Sequence, residues 1–585
     1  MLEVRTFVVC AGLLGLVLLL PRTVAAAWPT DPTVNVPLCT ATGEQSTATT
    51  VSDGAGGAIV AWLDFRHDDT LTGHYEIYAQ RIAADGALLW TTDGVNPCTQ
   101  PYSARMHPST IVSDGAGGAI VAWTDNRNSG HYDIYAQRIA AAGTVPWTTN
   151  GVAVCTATGT QDYPTIVSDG AGGVIVAWTD YRSDGQGDIY AQRISASGAP
   201  QWTANGVAIC TTIDVQQYPK IVSDGAGGAI VTWRSGAANG WDIYARRIKA
   251  DGTVLWAATG VALSSYTPNT TSSGPTFVSD GLGGAIATWY DVRSVGTFWD
   301  YVDIRAQRID ATGAVQWTTN GVALDTLASV QYATSPTIAS DGVGGAIVAW
   351  YDQRSGVGNS DIYAQRISAS GAPQWTANGV AICTATGDQR LPTIVSNGAD
   401  GAIVTWQDYR NGTSYDIYAQ RISASGAPQW TANGVAICTA TGNQQYPLIA
   451  SDGAGGAIVT WVDGRSGYSA IYSDIYTQRV CSWGQLGDCP GAYVPATAPL
   501  SFALDPVRPN PSRGGALTVH FSLPTDAPAR LELLDVAGRR IASHDVGMGQ
   551  HTLDLGVGQH LAPGLYLVRL TQGTNVRVAR VAVLR

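Results

Sequence analysis

Aspartates and arginines that recur at a fixed spacing are the residues of this 585-residue chain best suited to chemistry. Seven copies of the pattern Trp-x-Asp-x-Arg occur, one of them at Trp123, Asp125 and Arg127. All eight copies of the surrounding repeat then carry an acidic residue and, five positions later, an arginine, as at Asp133 and Arg138. Carboxylates and guanidiniums together could hydrolyse a glycosidic bond or bind an anionic sugar. A catalytic centre needs one asymmetric constellation, however, so groups present in every copy are predicted to tie strand ends together.

The sequence contains no other pattern that predicts a catalytic, metal or cofactor site. His67, Asp68, Asp69 and His74 share one loop, but their spacing fits no zinc motif. Each Asp-Gly turn offers one carboxylate, whereas calcium takes about six to eight oxygen ligands. Gly-x-Ser-x-Gly, P-loop and dinucleotide-binding motifs do not occur. We therefore predict no catalytic residue, no bound metal and no cofactor.

Eight copies of one strand-rich repeat position these residues. Each copy contains four strand-like runs, which in the third copy cover 164–168, 174–178, 188–194 and 206–210. The copies are marked by the phrase Ser-Asp-Gly-x-Gly-Gly or its variant Ser-Asn-Gly-Ala-Asp-Gly, beginning at Ser52, Ser113, Ser168, Ser223, Ser279, Ser340, Ser396 and Ser451. Four strands per repeat are typical of a propeller blade, and an open solenoid is the alternative.

The two ends of the repeat region favour the propeller. The eighth copy stops at residues 474–480 and lacks a fourth strand, while residues 34–39 match a fourth strand without a repeat of their own. A strand from the N-terminus can therefore complete the last blade and close the ring. The predicted fold is all-β, with an eight-bladed β-propeller over 28–480 followed by a small Ig-like β-sandwich.

The N-terminus indicates a secretory signal peptide over residues 1–27. Arg5 precedes an apolar run over 7–20, and alanines at 25–27 precede Trp28, which predicts cleavage just before Trp28. The run is shorter than the roughly 20 residues of a spanning helix, so we expect no membrane span after cleavage. The mature protein is predicted to be secreted or displayed on the outer cell surface.

Composition argues against nucleic-acid binding. The net charge is −12, and lysine occurs only at Lys220 and Lys249. No cluster of basic residues is available to neutralise phosphates along a nucleic-acid backbone.

The C-terminal region after a linker at 481–500 has its own motifs. They are the Pro-Asn-Pro at 509–511, the strand-like run at 531–536 followed by Gly538 and Arg539, the segment Leu-Ala-Pro-Gly-Leu-Tyr at 561–566, and the arginines at 577, 580 and 585. Residues 501–585 therefore resemble the FlgD-type Ig-like domain used as a C-terminal sorting domain in type IX secretion. This resemblance implies routing across an outer membrane, with the secretion machinery as a partner.

The glycine turns of the repeats resemble, loosely, the aspartate-box turns of sialidase-like propellers. Sialidase chemistry needs a tyrosine paired with a glutamate, and the chain after residue 27 contains only Glu44, Glu76 and Glu532. A glycan-active hydrolase or lyase is therefore the alternative to a binding protein, and a structural matrix protein is a third possibility.

Cysteines fall into two groups. Six lie at the end of the fourth strand, and we place Leu263 and Leu324 at the same position in the two remaining copies, which predicts buried thiols at an apolar packing site. The six are Cys39, Cys98, Cys155, Cys210, Cys383 and Cys438. Cys481 and Cys489 lie outside the repeats and close together, so we predict a disulfide between them.

The predicted function is a binding or adhesion scaffold for a carbohydrate or a surface protein. In a propeller the second-to-third loops and the blade-to-blade loops open on one face, and these second-to-third loops vary in length and collect aromatic residues. Such rings could stack on a ligand or merely cap the blade ends. The candidate ligand-binding residues are Tyr75, Tyr132, Trp241, Phe298, Trp299, Tyr301, Tyr415, Tyr468 and Tyr472.

Overall fold

The computed structural model consists of strands and connecting turns within the part of the chain that it describes. Its contacts divide the chain into two compact units, Met1–Val494 and Pro495–Arg585. No helix long and apolar enough to cross a bilayer occurs among the described residues. These residues are 28–67, 75–99, 110–128, 130–183, 185–237, 240–265, 270–294, 300–327, 336–356, 358–398, 401–467, 473–489, 503–504, 512–513, 517–523, 529–546, 549–555, 561–573 and 575–584. The predicted signal peptide lies outside them.

The first unit contains eight antiparallel sheets, one for each repeat, which we number as blades 1 to 8 in chain order. The first strands are β2 (Gln45–Ser52), β5 (Thr110–Ser113), β9 (Gln161–Ser168), β13 (Val215–Ser223), β18 (Thr270–Ser279), β22 (Thr337–Ser340), β26 (Gln389–Ser396) and β30 (Gln444–Ser451). The second strands are β3 (Ala58–Asp64), β6 (Ala119–Asp125), β10 (Val174–Asp180), β14 (Ala229–Ala237), β19 (Ala285–Ser294), β23 (Ala346–Asp352), β27 (Ala402–Asp408) and β31 (Ala457–Asp463).

The outer half of each blade is built from the third and fourth strands. The third strands are β4 (Glu76–Ile82), β7 (Asp133–Ile139), β11 (Asp188–Ile194), β15 (Gly240–Ile248), β20 (Asp300–Ile309), β24 (Asp361–Ile367), β28 (Asp416–Ile422) and β32 (Asp474–Val480). The fourth strands are β8 (Val152–Cys155), β12 (Val207–Cys210), the pair β16 (Val254–Leu255) and β17 (Val261–Ala262), β21 (Val322–Asp325), β25 (Val380–Cys383), β29 (Val435–Cys438) and, for blade 8, β1 (Val36–Cys39). Among the described residues, blade 1 has the three strands β2, β3 and β4.

Residue type explains why these segments pair as they do. The second strands are rich in Ile, Val and Trp, and every residue of β10 is buried, as expected for a strand covered on both faces. The glycine turn between the first two strands is held by Asp169, whose carboxylate accepts the N–H groups of Ala171 and Gly173 at 2.8 Å. A Cβ on Gly173 would lie 2.3 Å from the Ile194 carbonyl oxygen, so this position accepts only glycine.

The blades form a closed ring. The first strand of each blade contacts the first strand of the next, and the first strand of blade 8 contacts that of blade 1. Strand β1 pairs with β32 in antiparallel register, with Val36 opposite Thr477 and Cys39 opposite Ile475. The propeller-like all-β fold predicted from the sequence is therefore confirmed, and the ring closes through the N-terminal strand as the mismatch of the chain ends predicts.

An ion pair ties the glycine turn to the third strand in seven of the eight blades, on the face opposite the second-to-third loops. In blade 3, Arg193 pairs with Asp169 at 2.9 Å and donates to the Ala250 carbonyl of blade 4 at 3.1 Å. The same arginine-aspartate pair occurs in seven blades, as Arg81–Asp53, Arg138–Asp114, Arg193–Asp169, Arg247–Asp224, Arg308–Asp280, Arg366–Asp341 and Arg479–Asp452. These pairs fix the turn, and within the described residues six of the seven arginines, all except Arg138, also donate to a carbonyl of the next blade.

Blade 7 departs from this pattern. Its turn carries Asn397 in place of the aspartate, and the buried Nε of Arg421 has no hydrogen-bond partner within the described residues. The guanidinium still donates to the Ser482 carbonyl of blade 8 at 2.8 Å. The bond to the next blade is therefore kept, while the tie within the blade is lost.

The second unit is a two-sheet β-sandwich. One sheet has the order β33 (Ala503–Leu504), β35 (Thr518–Leu523) and β38 (Gly549–Asp554). The other has the order β34 (Ser512–Arg513), β40 (Asn575–Leu584), β39 (Gly564–Gln572), β36 (Ala529–Asp535) and β37 (Arg540–Val546), with β34 parallel to β40. Leu517, Leu531, Val568 and Val581 lie in its core and are fully buried.

Asn397→Asp is expected to stabilise the first unit. The new carboxylate would pair with Arg421 and satisfy its buried Nε, adding about 1.5 kcal/mol to the free energy of unfolding. The matched control, Asp169→Asn, removes the partner of Arg193 and should lower that free energy by a similar amount. Urea unfolding followed by tryptophan fluorescence measures both changes. A destabilising Asn397→Asp variant would contradict this role of the ion pair.

Candidate functional site

The repeated Trp-x-Asp-x-Arg residues form a buried cluster in each blade that carries them, which we call the Trp-Asp-Arg cluster. In blade 3, Asp180 accepts hydrogen bonds from Trp178 Nε1 at 2.8 Å and from Arg182 at 2.6 and 2.8 Å. Arg182 lies over the ring of Tyr190, 3.9 Å from its centroid, and donates to the Asn205 carbonyl at 2.8 Å. Asp180 is fully buried. These groups are engaged with one another, which supports a structural role over a catalytic one.

The Trp-Asp-Arg cluster also bonds to the preceding blade through the end of its fourth strand. Arg182 contacts the Cys155 sulfur of blade 2 at 3.2 Å, and burial raises the pKa of Cys155 to about 12, which keeps the thiol protonated. The equivalent contact of Arg354 is to the Asp325 carboxylate at 3.0 Å. The fourth-strand position therefore presents a thiol or a carboxylate to an arginine of the next blade.

This finding corrects one expectation about the cysteine position. Ile189 lies opposite Cys210, and Ile304 lies opposite Asp325 in the same register. The residues equivalent to cysteine in blades 4 and 5 are thus Ser264 and Asp325, one position after Leu263 and Leu324. The prediction of a purely apolar packing site was wrong. In blades 4 and 5 the repeats had been aligned one residue too early, which put Leu263 and Leu324 at the cysteine position. All six cysteines are buried thiols.

Cys481 and Cys489 lie in the connection that follows β32. In the structure a disulfide joins them, with the Cα atoms 5.4 Å apart. Both residues are buried.

A cavity of about 1150 Å³ opens at the mouth of the ring between blades 1, 7 and 8. Its walls come from the blade-to-blade loops, the second-to-third loops and the starts of first strands, which place it on the face that the sequence predicts for a ligand. The lining residues used below are Glu44, Thr47, Tyr75, Asn443, Gln445 and Tyr446. Hydroxyl, amide and aromatic side chains share this surface with the apolar residues Leu63, Leu448 and Val462.

Several first strands contain a β-bulge, and one residue of each bulge lies at the mouth of the ring. In blade 3, Tyr163 and Pro164 together lie opposite Trp178, and Tyr163 has a φ of 55°. The residues at this position are Thr47, Tyr163, Tyr218, Gly274, Leu391 and Tyr446, all with positive φ. Tyr446 is 59% exposed. Sequence reasoning missed these residues, although the recurring Gln-x-Tyr-Pro phrase could have marked them, since proline in a strand indicates an edge or a bulge.

Four of the nine predicted ligand residues can be placed with their side chains. Tyr75 lines the cavity and packs against Phe65, with ring centroids 3.5 Å apart. Tyr415 packs against Tyr409, with ring centroids 5.0 Å apart. Its backbone N–H donates to the Asn443 side chain, and its carbonyl accepts the Gln444 N–H. These two therefore cap their blade ends, and Tyr75 also faces the cavity.

The remaining predicted residues lie apart from the cavity or beyond what is described. Tyr132 is half-buried in blade 2, and its carbonyl accepts the Gln161 N–H at 2.6 Å. Trp241 lies in blade 4. The side chain of Tyr301 and all of Phe298, Trp299, Tyr468 and Tyr472 lie outside the described residues.

Blade 4 contributes an arginine held between aromatic rings. The repeat here reads Trp233, Arg234, Ser235, so it lacks the aspartate of the cluster. The guanidinium carbon of Arg234 lies 4.4 Å from the Tyr218 ring centroid and 4.3 Å from that of Trp241. Among the described residues no carboxylate pairs with Arg234. Arg234 donates to Gln217 at 3.4 Å, and its buried Nε has no hydrogen-bond partner within the part of the chain described.

Glu44 is the one carboxylate among the described residues that line the cavity. Burial raises its pKa above the ordinary value, with an opposing hydrogen bond from Ser46. The same loop position is Thr160, Asp388 or Asn443 in other blades. No group of three or more His, Cys, Asp or Glu side chains is placed to hold a metal ion in the part of the chain described here.

Comparison with known proteins identifies the C-terminal region. Residues 507–584 match the secretion system C-terminal sorting domain family. No curated protein sequence matches the chain.

Several solved structures resemble the chain at low identity. PorZ, a surface component of the type IX secretion system of Porphyromonas gingivalis, is 12% identical over 92% of this chain and 70% of its own, with a TM-score of 0.33. The polysaccharide lyase Uly1 is 10% identical over 66% of this chain and 93% of its own, with a TM-score of 0.41. The endo-arabinase from Bacteroides thetaiotaomicron is 13% identical over 46% of this chain and 95% of its own, with a TM-score of 0.26. Likenesses this distant carry no information about ligand or activity.

The sorting-domain match has one direct consequence. Domains of this kind direct proteins through the type IX secretion system. The protein is therefore a type IX secretion cargo that reaches the cell surface or the extracellular space.

Proposed function

We propose that this protein is a secreted or cell-surface β-propeller that binds a carbohydrate at the mouth of its ring and serves as a binding or adhesion scaffold. Its C-terminal unit, a FlgD-type Ig-like sandwich in this proposal, is the part that the outer-membrane secretion machinery recognises. The first unit then carries the ligand site.

The cavity at the ring mouth is the observation that carries this proposal. Its volume of about 1150 Å³ is at or above the upper end of ordinary ligand pockets, which span about 300–1,000 Å³, so it has room for several sugar units. Tyr75 and Tyr446 supply aromatic faces of the kind that stack on sugar rings. Asn443 and Gln445 supply amide groups that can both donate to and accept from sugar hydroxyls.

Arg234 of blade 4, which lies outside the lining of the cavity, is a second candidate contact, for an acidic group on a sugar. The aspartates and arginines of the repeats are paired within the blades, so they contribute little free charge to the mouth. Arg234 is different, because it is stacked between Tyr218 and Trp241 with no carboxylate partner among the described residues. A guanidinium in that environment binds carboxylate or sulfate groups well.

Tyr446→Ala is expected to weaken glycan binding by about tenfold, because an aromatic contact is worth up to about 1.5 kcal/mol. A ligand is first identified on an array that includes neutral and uronic-acid oligosaccharides, and affinity is then measured by titration calorimetry. Trp483→Ala is the matched control, since Trp483 is also exposed but lies in the turn that follows β32, at the opposite face. Equal affinities of the Tyr446→Ala protein and the unchanged protein would contradict the site. Binding to proteins alone would favour a surface-protein ligand.

A glycan-active hydrolase or lyase is the second candidate, and Glu44 is the observation that favours it. A carboxyl group with a raised pKa retains its proton to higher pH and can act as a general acid. Chain cleavage of the bound glycan that is abolished in Glu44→Gln would support the enzyme. Binding without cleavage by the unchanged protein would support the scaffold.

Removal of residues 501–585 is expected to block export while leaving the propeller folded. The two units have separate cores, and the sorting-domain match lies entirely within the removed part. Fractionation of a host with type IX secretion should find the truncated protein inside the outer membrane and the full-length protein outside it. Normal export of the truncated protein would contradict the sorting role.

A further inference from the structure

A tryptophan in the third-to-fourth connection bonds most blades to the next one. The indole N–H donates to a carbonyl of the following blade at 3.0 to 3.1 Å, as in Trp430 to Ser482. The same bond is made by Trp90, Trp147, Trp202, Trp317, Trp375 and Trp430. Within the described part of blade 8, no tryptophan after β32 makes this bond, since Trp483 Nε1 donates to Gln485 in its own turn.

Trp28 makes the missing bond for blade 8. Its Nε1 donates to the Ala84 carbonyl of blade 1 at 2.9 Å, and Arg479 of blade 8 donates to the same oxygen at 2.8 Å. The Trp28 side chain is buried, with 2% exposure. Gln478 Nε2 donates to the Pro29 carbonyl at 3.0 Å, as Gln80 does to Thr91 in blade 1. The N-terminal segment therefore replaces a whole connection and not only the fourth strand.

The loop closed by the Cys481–Cys489 disulfide contacts the start of this segment. Asp488 Oδ1 lies 3.3 Å from the backbone nitrogen of Trp28. A Cβ on Gly487 would lie 2.8 Å from Thr30 Cγ2, so the loop backbone packs directly on the segment. A carboxylate thus faces the nitrogen of the residue that follows the three alanines at 25–27.

We infer that Ala27–Trp28 is the bond hydrolysed during export and that Asp488 binds the α-ammonium group released on Trp28. Hydrolysis adds water across the peptide bond, leaves a carboxylate on Ala27 and frees an amine on Trp28, which takes up a proton. An ammonium group donates three hydrogen bonds and carries a charge, whereas the uncut amide donates one bond and carries none. Processing therefore strengthens the contact that completes blade 8.

A double-mutant cycle tests this inference on the protein comprising residues 28–585. The unfolding equilibrium constant is measured with a free and with an acetylated amine on Trp28. Both forms are prepared for the unchanged protein and for Asp488→Asn, which gives four proteins. Acetylation should raise the unfolding equilibrium constant by about tenfold in the unchanged protein, since a charge-assisted bond is replaced by a neutral one. In Asp488→Asn, where the carboxylate is absent, acetylation should have a much smaller effect. Equal effects in both backgrounds would overturn the assignment of Asp488.

The processing site is tested separately by N-terminal sequencing of the exported full-length product. The expected first residue is Trp28, and any other first residue would overturn the assigned bond.

The linked fragment containing Cys481 and Cys489 should be recovered by peptide mapping without reductant. Cys481→Ser/Cys489→Ser should reduce the effect of acetylation, because the loop that carries Asp488 is then less restrained. An unchanged effect would show that Asp488 acts without the disulfide.

Discussion

Closure of the ring is the constraint on which the rest of the first unit depends. Most blades bond to a neighbour on both faces, as blade 3 does through Arg193 to Ala250 in one direction and through Arg182 to Cys155 in the other. A ring satisfies every such bond, whereas an open array would leave buried groups without partners at both ends. The N-terminal segment closes the ring, because it supplies both strand β1 and Trp28 to blade 8.

The same bonds separate the residues that hold the blades together from those that could bind a ligand. Carboxylates and guanidiniums that recur in every blade are buried against each other, and a buried charge is costly to leave unpaired. They are therefore poorly suited to meet a ligand. The groups available at the ring mouth are those that differ between blades, such as Glu44, Arg234 and Tyr446.

Much of the fold can be predicted from the sequence because the repeat reports the same strand pattern eight times. The turn glycines, the apolar second strands and the surplus strand at 34–39 all follow from residue type and order. The bulge at Tyr446 could not be placed, because a positive φ in a tyrosine depends on how the first strand bends at the ring mouth. The error at Leu324 has a similar origin, since only strand register shows that Asp325 takes the cysteine position. Loop aromatics such as Tyr415 were predicted as ligand residues, but their neighbours in space decide whether they cap a blade.

Hydrogen exchange of the first unit tests the closed ring most directly. Amides of β1 that bond to β32 should exchange as slowly as those of β12 bonded to β11, because both are fourth strands of complete blades. The account predicts that peptides covering residues 34–39 and 474–480 lose protection together with the other blades as denaturant is added. Rapid exchange over 34–39 while residues 188–194 and 207–210 stay protected would contradict closure by the N-terminal strand.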